Sequence, residues 1–280
     1  MPFTTVHIFL TIALCANSAA DADGTRRVWQ IEGIEREAIV HFPTGAPHPC
    51  PVILAFHGHG GRAQSVERSM HFQTEWPEAV VVYPQGLATK SARVDPAGVR
   101  TGWQNRPGEN DDRDLKLVDQ IMASLRAGGW VDDTRIYVTG HSNGGGFTYA
   151  LWLARAEMLA AVAPVAGGTL SVRSLDPLPC MHVAGRADTL VPFINQERVM
   201  AAVRVVNGCA ESGTPWAKDC TFYASKFGTP MVAMITDGGH QYPREAPALI
   251  VRFLKGQVAP ILCGPPSPGQ PWPRSKPISD

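Results

Sequence analysis

Three side chains far apart in the chain have the types needed for nucleophilic acyl transfer: Ser142, Asp188 and His240. A serine hydroxyl is a weak nucleophile at neutral pH. It needs a base to take its proton, and the base needs a carboxylate to hold its tautomer and stabilise its charged form. Ser142 lies in Gly140-His141-Ser142-Asn143-Gly144, with strand formers from Ile136 to Thr139 before it and a helix-like stretch from Phe147 to about Met158 after it. Strand, sharp turn and helix form the setting in which this pattern lifts a hydroxyl above a sheet, and glycines two residues to either side let the two backbones pass closely. The competing reading is a plain glycine-rich loop between a buried strand and a helix. On the catalytic reading Ser142 attacks, His240 is general base and then general acid to the leaving alcohol, and Asp188 orients His240. Asp237 is a rival orienter, but it stands too close in sequence to His240 to sit behind it. Asp188 could instead merely shape its loop, as many loop aspartates do. His141 is expected to point away from Ser142 and to pack or support the turn.

Acyl transfer also needs donors for the oxyanion. His57-Gly58-His59-Gly60-Gly61 follows an apolar run, and its glycines allow backbone N–H groups to face a site. The N–H of Asn143, at a helix start, supplies one donor, and that of His59 or Gly58 the other. A His-x-His pair could instead ligate a metal, but no third ligand is spaced nearby, so neither metal nor cofactor is expected. Trp103, in Thr101–Pro107, either lines an acyl or sugar pocket or packs as core or lid. His57 and Tyr242 are the other residues assigned to the pocket. The carboxylates Asp111, Asp112 and Asp114 read as the acidic start of a helix rather than a cluster of their own.

The elements that must position these residues are legible as buried apolar runs. Pro51–Phe56, Glu78–Tyr83, Ile136–Thr139, Ala160–Val165, Met181–Ala184 and Met231–Thr236 have the apolar runs of buried strands. Helical periodicity runs over 114–127, 196–206 and 246–255, and Arg27–Phe42 reads as an antiparallel pair. Strands alternating with helices predict an α/β fold with a mostly parallel sheet flanked by helices. Function then gathers at the carboxyl ends of the strands. Those ends carry His57–Gly61, Ser142, Asp188 and His240, which the topology would bring to one edge.

The 280 residues are 44% hydrophobic, enough for a large core, and 25 basic residues balance 25 acidic ones, so no net field favours nucleic acid or an anionic membrane. Residues 1–20 read as a signal peptide. An apolar run from Ile8 to Ala16 is followed by small residues suited to cleavage after Ala20, although the preceding segment has no Lys or Arg. The run is too short to span a bilayer. Residues 21–256 form the expected catalytic domain and 257–280 a Pro-rich tail, with a secreted location, extracellular or periplasmic. Export makes disulfides plausible, and of the five cysteines that remain, Cys209 and Cys220 are the expected pair.

The chain resembles the secreted polyhydroxybutyrate depolymerase and feruloyl/acetylxylan esterase-like family of α/β-hydrolases. The resemblance rests on Pro51–Gly61, Val81–Gly86, Asp114–Val118, Val131–Gly145, Ala160–Val165, Gly185–Pro192 and Gly238–His240. It implies the α/β-hydrolase fold, the same Ser142, Asp188 and His240, and a small or oligomeric ester as substrate. Departures stand at Gln241-Tyr242-Pro243, where the family often has Trp-Pro, and at Val183-Ala184-Gly185, where it commonly has His-Gly. They bear on substrate preference. A peptidase or amidase would use the same triad, and a non-catalytic binding protein would have no need to keep it.

Overall fold

The structure is a computed structural model that describes residues 24–259. The expected signal peptide and the tail from residue 260 lie outside them. In chain order the strands are β1 (Thr25–Ile31), β2 (Ile34–His41), β3 (Cys50–Phe56), β4 (Val80–Pro84), β5 (Leu87–Ala88), β6 (Thr101–Gly102), β7 (Val131–His141), β8 (Ala161–Val165), β9 (Cys180–Gly185), β10 (Thr214–Ala217), β11 (Cys220–Tyr223) and β12 (Met231–Thr236). The helices are α1 (Ala63–Met70), α2 (Phe72–Glu75), α3 (Arg113–Ala127), α4 (Asn143–Arg155), α5 (Phe193–Val206) and α6 (Ala246–Lys255).

Ten strands form one sheet in the order β1-β2-β4-β3-β7-β8-β9-β12-β11-β10, and β5 pairs with β6 separately. From β4 to β12 every pairing is parallel. The pair β1–β2 extends one side antiparallel and β11–β10 the other. Parallel strands need crossovers, and the helices that make them cover both faces. Leu115, Ile121, Phe147, Trp152 and Val203 from α3, α4 and α5 fill one side. Val66, Met70, Phe72, Ile250 and Leu254 from α1, α2 and α6 fill the other. This is why β3 and β4 are buried at every residue and read as unbroken apolar runs.

The observed elements depart from expectation in two places. The helix after Ser142 begins at Asn143, not near Phe147. Glycine is a poor helix former, so Gly144-Gly145-Gly146 reads as loop. Here the missing side chains let the helix end press against the neighbouring strands. A Cβ on Gly144 would overlap the Phe56 carbonyl, and one on Gly140 would come within 2.5 Å of the Gly144 carbonyl. The segment after Cys209, where the sequence predicts no strand, holds β10 and β11. Pro215 and a register shift between Pro215 and Ala217 obscure their alternation.

The expected Cys209–Cys220 disulfide is corrected by that hairpin. Both thiols are free. Cys220 on β11 packs into the cluster beneath α1, α2 and α6, whereas Cys209 packs against the cluster on the opposite face of the sheet. Nearness in sequence does not bring them together, because the sheet stands between them.

Candidate active site

Ser142 has φ 58° and ψ −117°, a conformation that L-residues rarely adopt. Such backbone strain typically costs about 1–3 kcal/mol and persists only where surrounding structure enforces it. Here the enforcement is the junction of β7 with α4, with the Ser142 N–H donating to Val165 O at 2.9 Å. The hydroxyl is left projecting from the sheet edge. His240 Nε2 lies 2.7 Å from Ser142 Oγ, and His240 Nδ1 lies 2.8 Å from Asp188 Oδ2. A carboxylate only accepts, so Nδ1 carries the proton and Nε2 is free to accept from the serine hydroxyl. The residues come from the β7–α4 turn, the β9–α5 loop and the loop after β12, which are brought to one edge by parallel neighbours.

The Asp188 side chain is fully buried. It accepts from the amides of Leu190 and Val191 at 2.9 and 2.8 Å, and from Gln196 Nε2 at 3.0 Å. Gln196 is itself fully buried on α5 and also donates to Val191 O at 2.7 Å. Sequence reading missed Gln196; a glutamine on the buried side of a helix eight residues after the aspartate was the available signal. Asp237, the rival orienter, instead faces solvent with its side chain fully exposed.

The amides expected to face the oxyanion belong to the start of α4 and to the loop after β3. Asn143 is the first residue of α4, so its N–H has no acceptor within the helix. Its side chain is locked, with Oδ1 accepting from Trp103 N at 2.7 Å and Nδ2 donating to Trp103 O at 3.0 Å. In the loop after β3, Gly60 N donates to Thr101 O and Gly61 N to Gly58 O. Gly58 packs against the Ser142 turn, where a Cβ on it would lie 3.3 Å from the Ser142 Cβ. His59 Nε2 sits 3.1 Å from Asp95 Oδ2, and Asp95 also accepts from Arg100 N at 2.8 Å. The β5–β6 loop, not singled out in the sequence, therefore braces the loop after β3.

Of the pocket assignments, Trp103 is corrected, whereas His57 stays at the cavity wall with both ring nitrogens engaged. Trp103 is fully buried, its indole N–H donating to His57 O at 2.8 Å and its ring stacked on Phe147. Of the two readings of Trp103, packed core is the one observed. His57 is also buried. Its Nε2 accepts from Gly86 N at 2.9 Å, so the proton sits on Nδ1, which donates to Gly58 O at 2.7 Å. Burial pushes its pKa down to about 4, so it is a neutral strut with no nitrogen left for a substrate. Asp114 opens α3 as expected, and also forms a buried ion pair with Arg36 at 2.9 Å and accepts from Gln104 N at 2.9 Å. These bonds anchor the segment that holds Asn143.

A cavity of about 290 Å³ opens beside Gly58 and His141, walled by His59, Tyr242 and, from α1, Ser65, Val66, Ser69 and Met70. Tyr242 and His57 are the pocket assignments that line it. His141 closes the inner end, its Nε2 2.8 Å from the carbonyl oxygen of His240. Among the described residues no cluster of three His, Cys, Asp or Glu side chains is placed to hold a metal ion, and no helix is long and apolar enough to cross a membrane.

No family model matches the chain. It is 30% identical over 237 residues to "Probable feruloyl esterase C" of Aspergillus niger, covering 81% of this chain and 82% of that protein. Feruloyl esterase C of Emericella nidulans is 29% identical over 225 residues, covering 77% and 79%. Among solved structures, an acetyl xylan esterase from Aspergillus awamori superposes with a TM-score of 0.64 at 13% identity, covering 82% of this chain and 99% of that one. A ferulic acid esterase superposes with a TM-score of 0.58 at 14% identity, covering 82% and 96%. The shared architecture is the α/β-hydrolase fold.

Proposed function

The chain belongs to the feruloyl and acetylxylan esterase-like family of α/β-hydrolases and is a carboxylic ester hydrolase; from that premise we propose a serine mechanism carried by Ser142, His240 and Asp188. The supporting observation is the unbroken chain of contacts from Ser142 Oγ through the His240 ring to the buried Asp188 carboxylate, at 2.7 and 2.8 Å. His240 Nε2 takes the hydroxyl proton as Oγ bonds to the carbonyl carbon of the ester. Negative charge develops on the former carbonyl oxygen, and the amides of Asn143 and of His59 or Gly58 stabilise it. When that intermediate collapses, the bond to the alcohol breaks and His240 returns the proton to the leaving oxygen. Water then repeats the sequence on the acyl-enzyme, releasing the acid and restoring Ser142. Asp188 stays ionised throughout and stabilises the imidazolium.

The proposed substrates are small or oligomeric esters, with feruloyl or acetyl groups on plant polysaccharide as the preferred class. The similarity to feruloyl esterases supports the choice. Export as an extracellular or periplasmic enzyme is part of the same reading and rests on the signal-like sequence of residues 1–20. A panel of methyl ferulate, acetylated xylan, hydroxybutyrate oligomers and a peptide anilide tests the substrate assignment. Turnover of the first or second supports it; turnover of the oligomers alone moves the enzyme to hydroxyalkanoate esters. Cleavage of the anilide alone would overturn the ester reading.

A further inference from the structure

The base in this site stands on a weakly tethered stretch of chain. His240 follows Gly238-Gly239, where the backbone has its greatest freedom. Gly238 O accepts from Ala187 N at 2.9 Å, and the next main-chain bond of the loop is Ala246 N to Pro243 O at 3.1 Å. Between them, among the described residues, one hydrogen bond holds the main chain of residues 239–242: His141 Nε2 to His240 O at 2.8 Å. A carbonyl oxygen only accepts, so Nε2 is the protonated nitrogen of His141. The His141 ring also lies against that of His240, with centroids 5.1 Å apart, and meets the Tyr242 ring edge-on at 5.8 Å.

His141 is the residue immediately before Ser142 and ends β7. One residue of the strained turn thus grips the main chain of the base while the next presents the nucleophile to its ring. We propose that His141 is a positioning residue that sets the Ser142–His240 distance by donating from Nε2 to the backbone carbonyl of His240. It touches neither substrate nor reacting atoms in this role. Burial holds the ring neutral, with its pKa lowered to about 4, so the donor tautomer persists across the neutral range. The inference rests on the serine mechanism proposed above.

The test compares His141→Gln, His141→Asn and His141→Phe, with Ser142→Ala alongside. Glutamine carries an N–H the same number of bonds from Cβ as Nε2 of histidine; asparagine ends one bond short; phenylalanine keeps the ring and lacks the donor. With p-nitrophenyl acetate, His141→Gln is expected to retain kcat within about threefold. His141→Asn and His141→Phe are expected to lose about 10- to 100-fold in kcat with KM within threefold, a loss of transition-state positioning rather than of binding. Circular dichroism checks that each variant is folded. If His141→Phe does not fold, the Gln–Asn pair decides by itself, since both are polar and differ in reach. Equal kcat for Gln and Asn, or a loss confined to KM, overturns the inference. If Ser142→Ala keeps its activity, the serine mechanism itself has failed, whatever the His141 variants do.

Discussion

Replacing Gly102 with alanine should damage catalysis through atoms that the new methyl group never shares with the substrate. Gly102 ends β6 beneath the loop after β3. A Cβ there would lie 2.7 Å from His59 Nδ1 and 3.0 Å from Asn143 Oδ1. Carbon in ordinary contact stands at roughly 3.5 Å or more, so both neighbours must retreat by about half an ångström or more. Neither is free to do so. His59 is held 3.1 Å from Asp95, and Asn143 is bonded twice to the Trp103 backbone, at 2.7 and 3.0 Å. The displacement therefore passes to the main chain of the two residues assigned to the oxyanion. Loss of one such donor typically costs about 3–4 kcal/mol in the barrier, and a misplaced donor costs part of that. Gly102→Ala should lower kcat by about 10- to 100-fold, or about 1.4–2.7 kcal/mol, with KM within threefold. Overpacking should also reduce stability by about 1–3 kcal/mol. Steady-state kinetics with p-nitrophenyl acetate and a thermal melt read the two effects. Gly146→Ala is the control. Its Cβ would meet nothing closer than 3.7 Å, it lies inside α4, and it should gain about 0.5–1 kcal/mol with kcat unchanged. A Gly102→Ala enzyme with normal kcat, or with its whole loss in KM, would refute the oxyanion placement.

Acid should destabilise the fold before it protonates most carboxylates. Burial lowers His57, His141 and His182 to about 4 from an ordinary 6.5. The unfolded chain takes up these protons below pH 6.5 and the folded one refuses them until about pH 4. Their stability contribution is therefore full above pH 6.5 and is lost as pH falls toward 4, at up to about 1.4 kcal/mol per pH unit for each proton. Urea midpoints at pH 7, 6, 5 and 4.5 should fall progressively, and a flat profile over that range would contradict the neutral assignments. Gln196→Leu leaves Asp188 Oδ2 and Val191 O each short of a buried donor. It should cost about 2–4 kcal/mol in stability and at least about tenfold in kcat. A lower melting temperature with unchanged kcat would confine Gln196 to holding the fold.

The legible part of this molecule was whatever burial made one-dimensional. β3, β9 and β12 are covered on both faces or nearly so, and each reads as an apolar run followed by residues that meet at the site. Parallel pairing does the rest, because it places the carboxyl ends side by side. What escaped was set by tertiary partners. Gln196 and Asp95 matter through what they touch, and neither has a local pattern. Trp103 has the same sequence context whether it faces substrate or core; the His57 carbonyl decides between them by accepting its indole N–H. Cys209 and Cys220 look paired along the chain and stand on opposite faces of the sheet. The glycines after Ser142 read as loop because propensity concerns an isolated helix, whereas here they admit a helix end against Phe56.

Ser142 is the proposed nucleophile, activated by the His240 ring 2.7 Å away. The most direct measurement is covalent labelling by a fluorophosphonate, followed by intact-mass analysis and peptide mapping. One adduct per chain should map to Ser142, with loss of esterase activity in proportion to labelling. Ser142→Ala should remain folded, take no label and lose at least about 10⁴-fold in kcat. Label on another residue, or ester hydrolysis undiminished in Ser142→Ala, would contradict the account.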